Sequence, residues 1–262
     1  MTLPLATGQR EQVSLQFMVD NAYRTFESSV LSTETKVLLV GAFTDEATAV
    51  KSYLKRRRPD IDLRRKLSVE DEDYVSRVER YAASAKIYID WVRAEGGNPI
   101  WKEAVVSYCT AFENCLKSIA VAFHLANTSN SSDLMVEVYV PSGELRNAIE
   151  RITTDWNSRR LGIKKSKAFF DEFIFGVRPP NVYQSLLNHS VDEFWEIAVA
   201  ANRVRNDIVH NLARMSTQEQ LGSLLLHPNW PIELTEGSVA VVGNAFCRIM
   251  KPFDPYPGEL GL

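Results

Sequence analysis

Ala201-Asn202-Arg203-Val204-Arg205-Asn206-Asp207-Ile208-Val209-His210-Asn211 is the stretch on which the reading of this chain turns. Two arginines, three asparagines, an aspartate and a histidine share eleven residues with a regular apolar beat. Ile197, Ala201, Val204 and Ile208, continued by Leu212 and Met215, recur at helical intervals. At about 100° per residue they occupy one narrow sector, the core face of an amphipathic helix. The same wheel turns Asn202, Asn206 and His210 away from that sector, together with Trp195 and Val199. A face that met only water would carry Lys and Glu, so this second face is expected to meet a partner. Arg205 lies between the two.

Working outward, Trp101 to Ala126 is the cleanest helical pattern. Val105, Cys109, Phe112, Leu116, Ile119 and Phe123 alternate steps of four and three, as bundle packing requires. Glu113 stands at the edge of that stripe. It reads either as an exposed helix carboxylate or as the residue that holds Arg205 or His210 in place. The hexapeptide Arg205-Asn206-Asp207-Ile208-Val209-His210 resembles the signature of the HEPN family (higher eukaryotes and prokaryotes nucleotide-binding): arginine, a polar residue, three more, then histidine. Phe112-Glu113 resembles the family's earlier bundle helix, and the resemblance covers about Trp101 to Met215. It implies an all-α, up-and-down, HEPN-like helical bundle with extra N-terminal helices and an irregular C-terminal tail. It also implies a metal-independent endoribonuclease, as in toxins and antiviral defence, whose composite site forms across a two-fold dimer.

The 262 residues suffice for one large domain or two small ones, and 45% hydrophobic with 24% charged residues allows a substantial core. The net charge of −3 gives no global attraction to nucleic acid, so RNA would need a local patch. Cys109, Cys115 and Cys247 lack zinc-like spacing and suggest reduced, buried thiols in a cytoplasmic protein. Met1 to Gln12 has no basic region followed by an apolar run, so no signal peptide is expected, and no apolar stretch is long enough for a membrane.

The pattern predicts a helix over Val13 to Val30 and a second after Ser32 towards Leu54. Lys55, Arg56, Arg57, Arg58, Arg64, Arg65 and Lys66 form the most basic segment, around the helix-stopping Pro59. It reads as a solvated helix end suited to the dipole, or as an RNA-phosphate surface in which Arg56, Arg57, Arg58, Arg64 and Arg65 take part. Ser68 opens a helix over Val69 to about Ala94, with Tyr74, Val78, Tyr81, Ala85 and Tyr88 on one side. Gly96-Gly97-Asn98-Pro99 ends it and gives the expected division: an N-terminal helical region 1–97, which could belong to the same bundle, a HEPN-like bundle 98–251, and a flexible tail 252–262. Leu134 to Val140 has strand propensity, with a short helix or an extended lid as the alternatives. Ser142 is expected to cap a helix from Gly143 to about Trp156. A second basic stretch holds Arg159, Arg160, Lys164, Lys165 and Lys167. An apolar run through Phe169 to Phe175 ends before Pro179-Pro180. Ser190 is the expected cap of the signature helix, Val191 to Met215. Thr217 to Leu226 reads as a short helix, His227 to Pro231 as a loop, and Val239 to Met250 as a last helix or as a segment that starts as a strand.

The four histidines include no pair at one-turn spacing with a carboxylate, so no metal and no cofactor is expected. Glycine-rich phosphate loops and nucleophile elbows are also missing from the sequence. What remains is histidine acid–base chemistry supported by arginine, which suits RNA cleavage. The ribose 2′-hydroxyl attacks, His210 moves protons, and Arg205 stabilises the phosphorane-like charge. The products would be a 2′,3′-cyclic phosphate and a 5′-hydroxyl. Asn206 orients its neighbours or binds phosphate, with Glu113 and Asn202 in support. Arg205 and His210 point about 140° apart on one helix, and one copy brings one imidazole, so a homodimer that buries Trp195 and Val199 is expected. The alternatives are a non-catalytic HEPN module binding RNA, a nucleotide or a protein partner, and a helical scaffold. An antitoxin or regulatory protein is a further possible partner under the first reading.

Overall fold

The structure is a computed structural model that describes residues 10–43, 45–129, 137–167 and 191–254. It is predominantly helical, with two short strand pairs. The central element is helix α4 (Asn98–Thr128). Around it pack α1 (Leu15–Ala42), α5 (Glu144–Asn157), α6 (Val191–His210) and α7 (Glu236–Met250). Helices α2 (Glu46–Arg57) and α3 (Val69–Ala94) pack on each other, and α3 touches α4 at the edge of the bundle. Among the described residues, no helix is long and apolar enough to cross a membrane.

The α4 stripe explains why this helix is the hub. Val105, Cys109, Phe112, Leu116 and Ile119 are fully buried and Phe123 partly so. Phe112 stacks on Phe246 of α7 at 4.4 Å and meets Trp195 of α6 at 5.8 Å and Phe26 of α1 at 6.5 Å. One phenylalanine thus ties four helices together. The start of α4 is set by glycine. Gly96 and Gly97 have positive φ (60° and 83°), and the Gly97 N–H closes α3 on the Val92 carbonyl at 2.8 Å. A side chain at Gly97 would also collide with Trp101, whose Nε1 lies 2.6 Å from the position of a Cβ. The turn at 96–97 does not divide the core: α1, from before it, shares one hydrophobic cluster with α4, α6 and α7. A separate small cluster of Val50, Leu54, Val75 and Ala82 joins α2 to α3.

Several expectations are corrected here. The helix after Ser32 is not a separate one, because α1 runs unbroken from Leu15 to Ala42. Its hydroxyls turn back into the helix: Thr33 Oγ1 donates to the Ser29 carbonyl at 2.9 Å and Thr35 Oγ1 to that of Leu31 at 2.7 Å, so neither caps a break. Before it, Arg10–Ser14 is a strand, β1, paired antiparallel with β2 (Glu137–Pro141), and Val13 opposes Val138. The strand expected near residue 140 is β2; its partner in the N-terminal segment had no separate signal. Gly143, in the left-handed region at φ 87°, stands at the N-cap of α5, with no capping bond from Ser142. Thr217 to Leu226 is not a helix but a hairpin, β3 (Glu219–Leu221) with β4 (Leu224–Leu226). Its loop is Gly222-Ser223, and the positive φ of Gly222 (63°) suits a two-residue turn between strands. Helix α3 keeps its expected bounds, yet its buried row is Val75, Ala82, Ile89 and Val92, while Tyr81 is 75% exposed. Cys109 and Cys115 are buried, but Cys247 is exposed. The apolar run 169–175, the diproline 179–180, Ser190 and the end of the tail lie outside the described residues.

Candidate functional site

Helix α6 crosses α4 and carries the Arg205-to-His210 segment at its C-terminal end. Ala198, Ala201 and Val204 are fully buried, and small residues at these positions let the helix approach its neighbours closely. Arg205 follows on the same side. Its guanidinium forms an ion pair with the Glu113 carboxylate of α4, and both side chains are largely buried, with 18% and 14% exposed. Arg205 Nε and Asn202 Oδ1 are buried without a hydrogen-bond partner among the described residues. Next to the pair lies the Cys109 thiol, pushed up by burial, with the Arg205 charge acting against that shift and Glu113 adding to it. A thiol held protonated is a poor nucleophile, so Cys109 is a packing residue here.

The outer row emerges gradually. Asn202 is half-buried, Asn206 and His210 are exposed, and Val209 beside them is 51% exposed. The helix ends at His210, not at Met215. Leu212 and Ala213 both take positive φ (50° and 55°), so the chain turns sharply and Leu212, expected in the core face, is 94% exposed. Asp207 holds this turn. Its carbonyl accepts from the N–H groups of Asn211 (3.1 Å) and Ala213 (3.2 Å), and its buried carboxylate accepts from Ser216 N (2.8 Å) and Oγ (2.9 Å). Two consecutive left-handed non-glycine residues cost roughly 1–3 kcal/mol each, and these four hydrogen bonds offset that strain. Asp207 sets where α6 stops and how His210 is presented. Sequence reading missed this role, because its partner Ser216 lies beyond the helix.

The expected second face does not survive intact. Trp195 is 3% exposed and packs on Phe112, so it belongs to the core and offers no dimer surface. Val199 is half-buried, in a cleft of about 870 Å³ between α6, a helical turn over 163–167 and β3, with Lys164 and Arg203 at its walls. Among the described residues α6 is covered from two directions, by α4 with α7 and by β3, and this covering takes Trp195 into the core. Arg203, which carried no expectation, reaches the buried Glu219 at 2.8 Å and helps to hold β3 against α6.

The basic segment after α2 is partly neutralised from within: Arg58, Arg64 and Arg65 of its seven basic residues have carboxylate partners. Arg58 pairs with Asp60 (2.7 Å) and Asp71 (2.9 Å) and lies over the Tyr74 ring at 5.3 Å. Arg64 and Arg65 both reach Asp62, at 3.0 and 3.5 Å. The hydrogen bond from Arg58 holds the Asp60 carboxyl below its ordinary range, and that from Arg64 does the same for Asp62. Arg56 and Arg57 are exposed at the end of α2. Among the described residues, no group of His, Cys, Asp and Glu could hold a metal ion.

The site therefore has an inner half, Arg205 with Glu113, and an outer half, Asn206 with His210, carried by one helix and separated by about 140° of turn between Arg205 and His210. Such an arrangement can hold an anion or move a proton at the outer half, with the inner half as its anchor. Compared with known proteins, the chain matches no family model, no curated protein and no solved structure.

Proposed function

We propose that this chain is a metal-independent endoribonuclease of the HEPN type, cutting RNA to 2′,3′-cyclic phosphate and 5′-hydroxyl ends, and acting as a toxin or phage-defence effector. The observation that carries this reading is the helix end itself: Arg205 is anchored on Glu113 while Asn206 and His210, on the same helix, face solvent. A neutral His210 takes the proton of the attacking 2′-hydroxyl, and a protonated imidazole returns one to the departing 5′-oxygen. Two imidazoles are needed for both steps at once. A homodimer supplies them, and the exposed residues of α6 that we assign to its contact are Asn206, Val209 and His210. Purified protein incubated with RNA in EDTA should generate cyclic-phosphate ends, and His210→Ala should abolish the cut without loss of fold, because its side chain is exposed. A folded His210→Ala protein that cuts RNA as fast as the parent would overturn the assignment.

A second reading draws on the same ion pair. A guanidinium already neutralised by Glu113 has less charge to offer a transition state, which favours a non-catalytic HEPN module that binds RNA, a nucleotide or a protein partner. Arg205→Ala separates the two. Under the nuclease reading it lowers the cleavage rate far more than RNA affinity; under the binding reading there is no cleavage to lose.

A further inference from the structure

Beside the end of α6 a second segment, residues 227–234, is bound to the bundle at several points. Met215 N donates to the Trp230 carbonyl (3.1 Å), Asn229 N to that of Met215 (2.8 Å), and Ile232 N to that of Ala213 (2.8 Å). From the other side Asn98 of α4 clamps it, donating from Nδ2 to the Ile232 carbonyl at 3.1 Å and accepting from Leu234 N at 3.0 Å. Ile232 and Leu234 are buried. The strap is therefore rigid, yet its Trp230 side chain is 67% exposed, with the His227 ring tilted against the indole at 5.8 Å. Arg214, exposed and paired across an isolated bridge with Pro231, is held by the Asn229 carbonyl at 3.0 Å and has no carboxylate partner among the described residues.

A tryptophan presented to solvent on a fixed backbone has its ring face open to a ligand at little ordering cost. Within residues 205–216 and the strap 227–234 the single exposed carboxylate is Glu233, since Asp207 is buried against Ser216; this in a chain of net charge −3. An aromatic face with an imidazole beside it and an unneutralised guanidinium one residue away fits the stacking of a base with its phosphate alongside. We propose that Trp230, braced by His227 and flanked by Arg214, is a stacking platform for an unpaired base of single-stranded RNA next to His210. Arg214 is four positions after His210, so their Cα atoms are at most about 14 Å apart, close enough for a strand lying across His210 to reach the Arg214 edge of the platform. The inference rests on RNA being the ligand of this face. It selects single strands over duplexes, because only an unstacked base exposes its ring to an indole.

The test is binding without cutting. His210→Ala protein in EDTA is titrated into a labelled oligouridylate and, separately, into an RNA hairpin with a short closed loop. Adding Trp230→Ala should weaken oligouridylate binding by about fivefold to a hundredfold and leave the duplex nearly unaffected, while Trp230→Phe should keep most of the affinity. Arg214→Ala should flatten the slope of log affinity against log salt by about 0.7, one single-strand phosphate contact. The side chain is exposed and the strap's bonds are made by its backbone, so loss of fold is not expected; circular dichroism checks it. Unchanged oligouridylate affinity in Trp230→Ala, or no binding by the parent, overturns the platform. Loss of a dimer in Trp230→Ala with unchanged RNA affinity overturns it too and gives the patch to a second copy of the chain. Wild-type protein that leaves RNA uncut, yet binds it in a Trp230-dependent way, defeats the nuclease reading and keeps the platform.

Discussion

The α4-centred bundle and the α2–α3 layer are both built from amphipathic helices, yet they bury very different amounts. Around α4, Phe112 is flat against Phe246, and Val105, Leu116 and Ile119 have no exposed surface. In the layer, α2 gives only Val50 and Leu54 to a four-residue cluster, and α3 leaves Tyr81, Ile87 and Trp91 more than half exposed. A helix as short as α2 cannot cover both sides of the much longer α3, so the tyrosines remain at the rim. There their hydroxyls stay wet or find a partner, as that of Tyr88 does at Glu103, 3.4 Å away. The candidate site is built on the densely packed side, with Arg205 seated in the bundle through Glu113. The basic residues after α2 sit on the loosely packed side. Tightly packed geometry therefore belongs to the first region, and exposed charge to the second.

Mutations can break or sharpen this contrast. The largest effect is expected from Trp195→Glu. Losing a buried aromatic costs about 3–5 kcal/mol, and the unpaired buried carboxylate adds to it. Chemical denaturation should find the protein unfolded or barely stable; a well-folded monomer would mean that Trp195 lies on a free surface after all. Next, Glu113→Ala strands the Arg205 charge inside the bundle at about 3 kcal/mol. Changing both residues to methionine should recover much of that loss, and a double variant as unstable as the single one would show that the pair is not what holds α4 to α6. Leu54→Ala should cost about 2 kcal/mol but act locally. Hydrogen exchange should quicken in α2 and α3 while α4 amides stay protected, and uniform loss of protection would merge the two regions into one cooperative unit. The smallest effect concerns charge. Neutralising Arg56 and Arg57 should lower the salt dependence of RNA binding more than neutralising Arg64 and Arg65, which share the one Asp62 carboxylate. Equal slopes for the two double variants would return the whole segment to a solvated helix end.

Much of this was legible locally. The bounds of α3 follow from Ser68 at one end and Gly96-Gly97 at the other; the Ser68 side chain caps the helix by accepting from Asp71 N at 3.2 Å. The α4 stripe was legible because alternating steps of four and three pick one face of any helix, whatever packs there. That Arg205 would meet a bundle carboxylate such as Glu113 was readable from their places at the edges of two apolar stripes, and the outward turn of His210 from the wheel. The hairpin over 219–226 was not legible, because its short apolar run fits either a helical or a strand period.

By itself the sequence determined the helical class, the extent of α3, the core stripe of α4, and the side of α6 on which Val204 and His210 lie. These depend on residues within a few turns of each other, through caps, glycine and periodicity. Tertiary structure alone decided that Trp195 is core, that α6 stops at His210, that β1 pairs with β2, and which row of α3 is buried. Each of those depends on what covers a face from outside it: Phe112 over Trp195, Ser216 on Asp207, Val138 opposite Val13, and α2 too short to cover the tyrosines of α3. A helical wheel orders the faces of one helix, but how many of them are covered is a property of its neighbours.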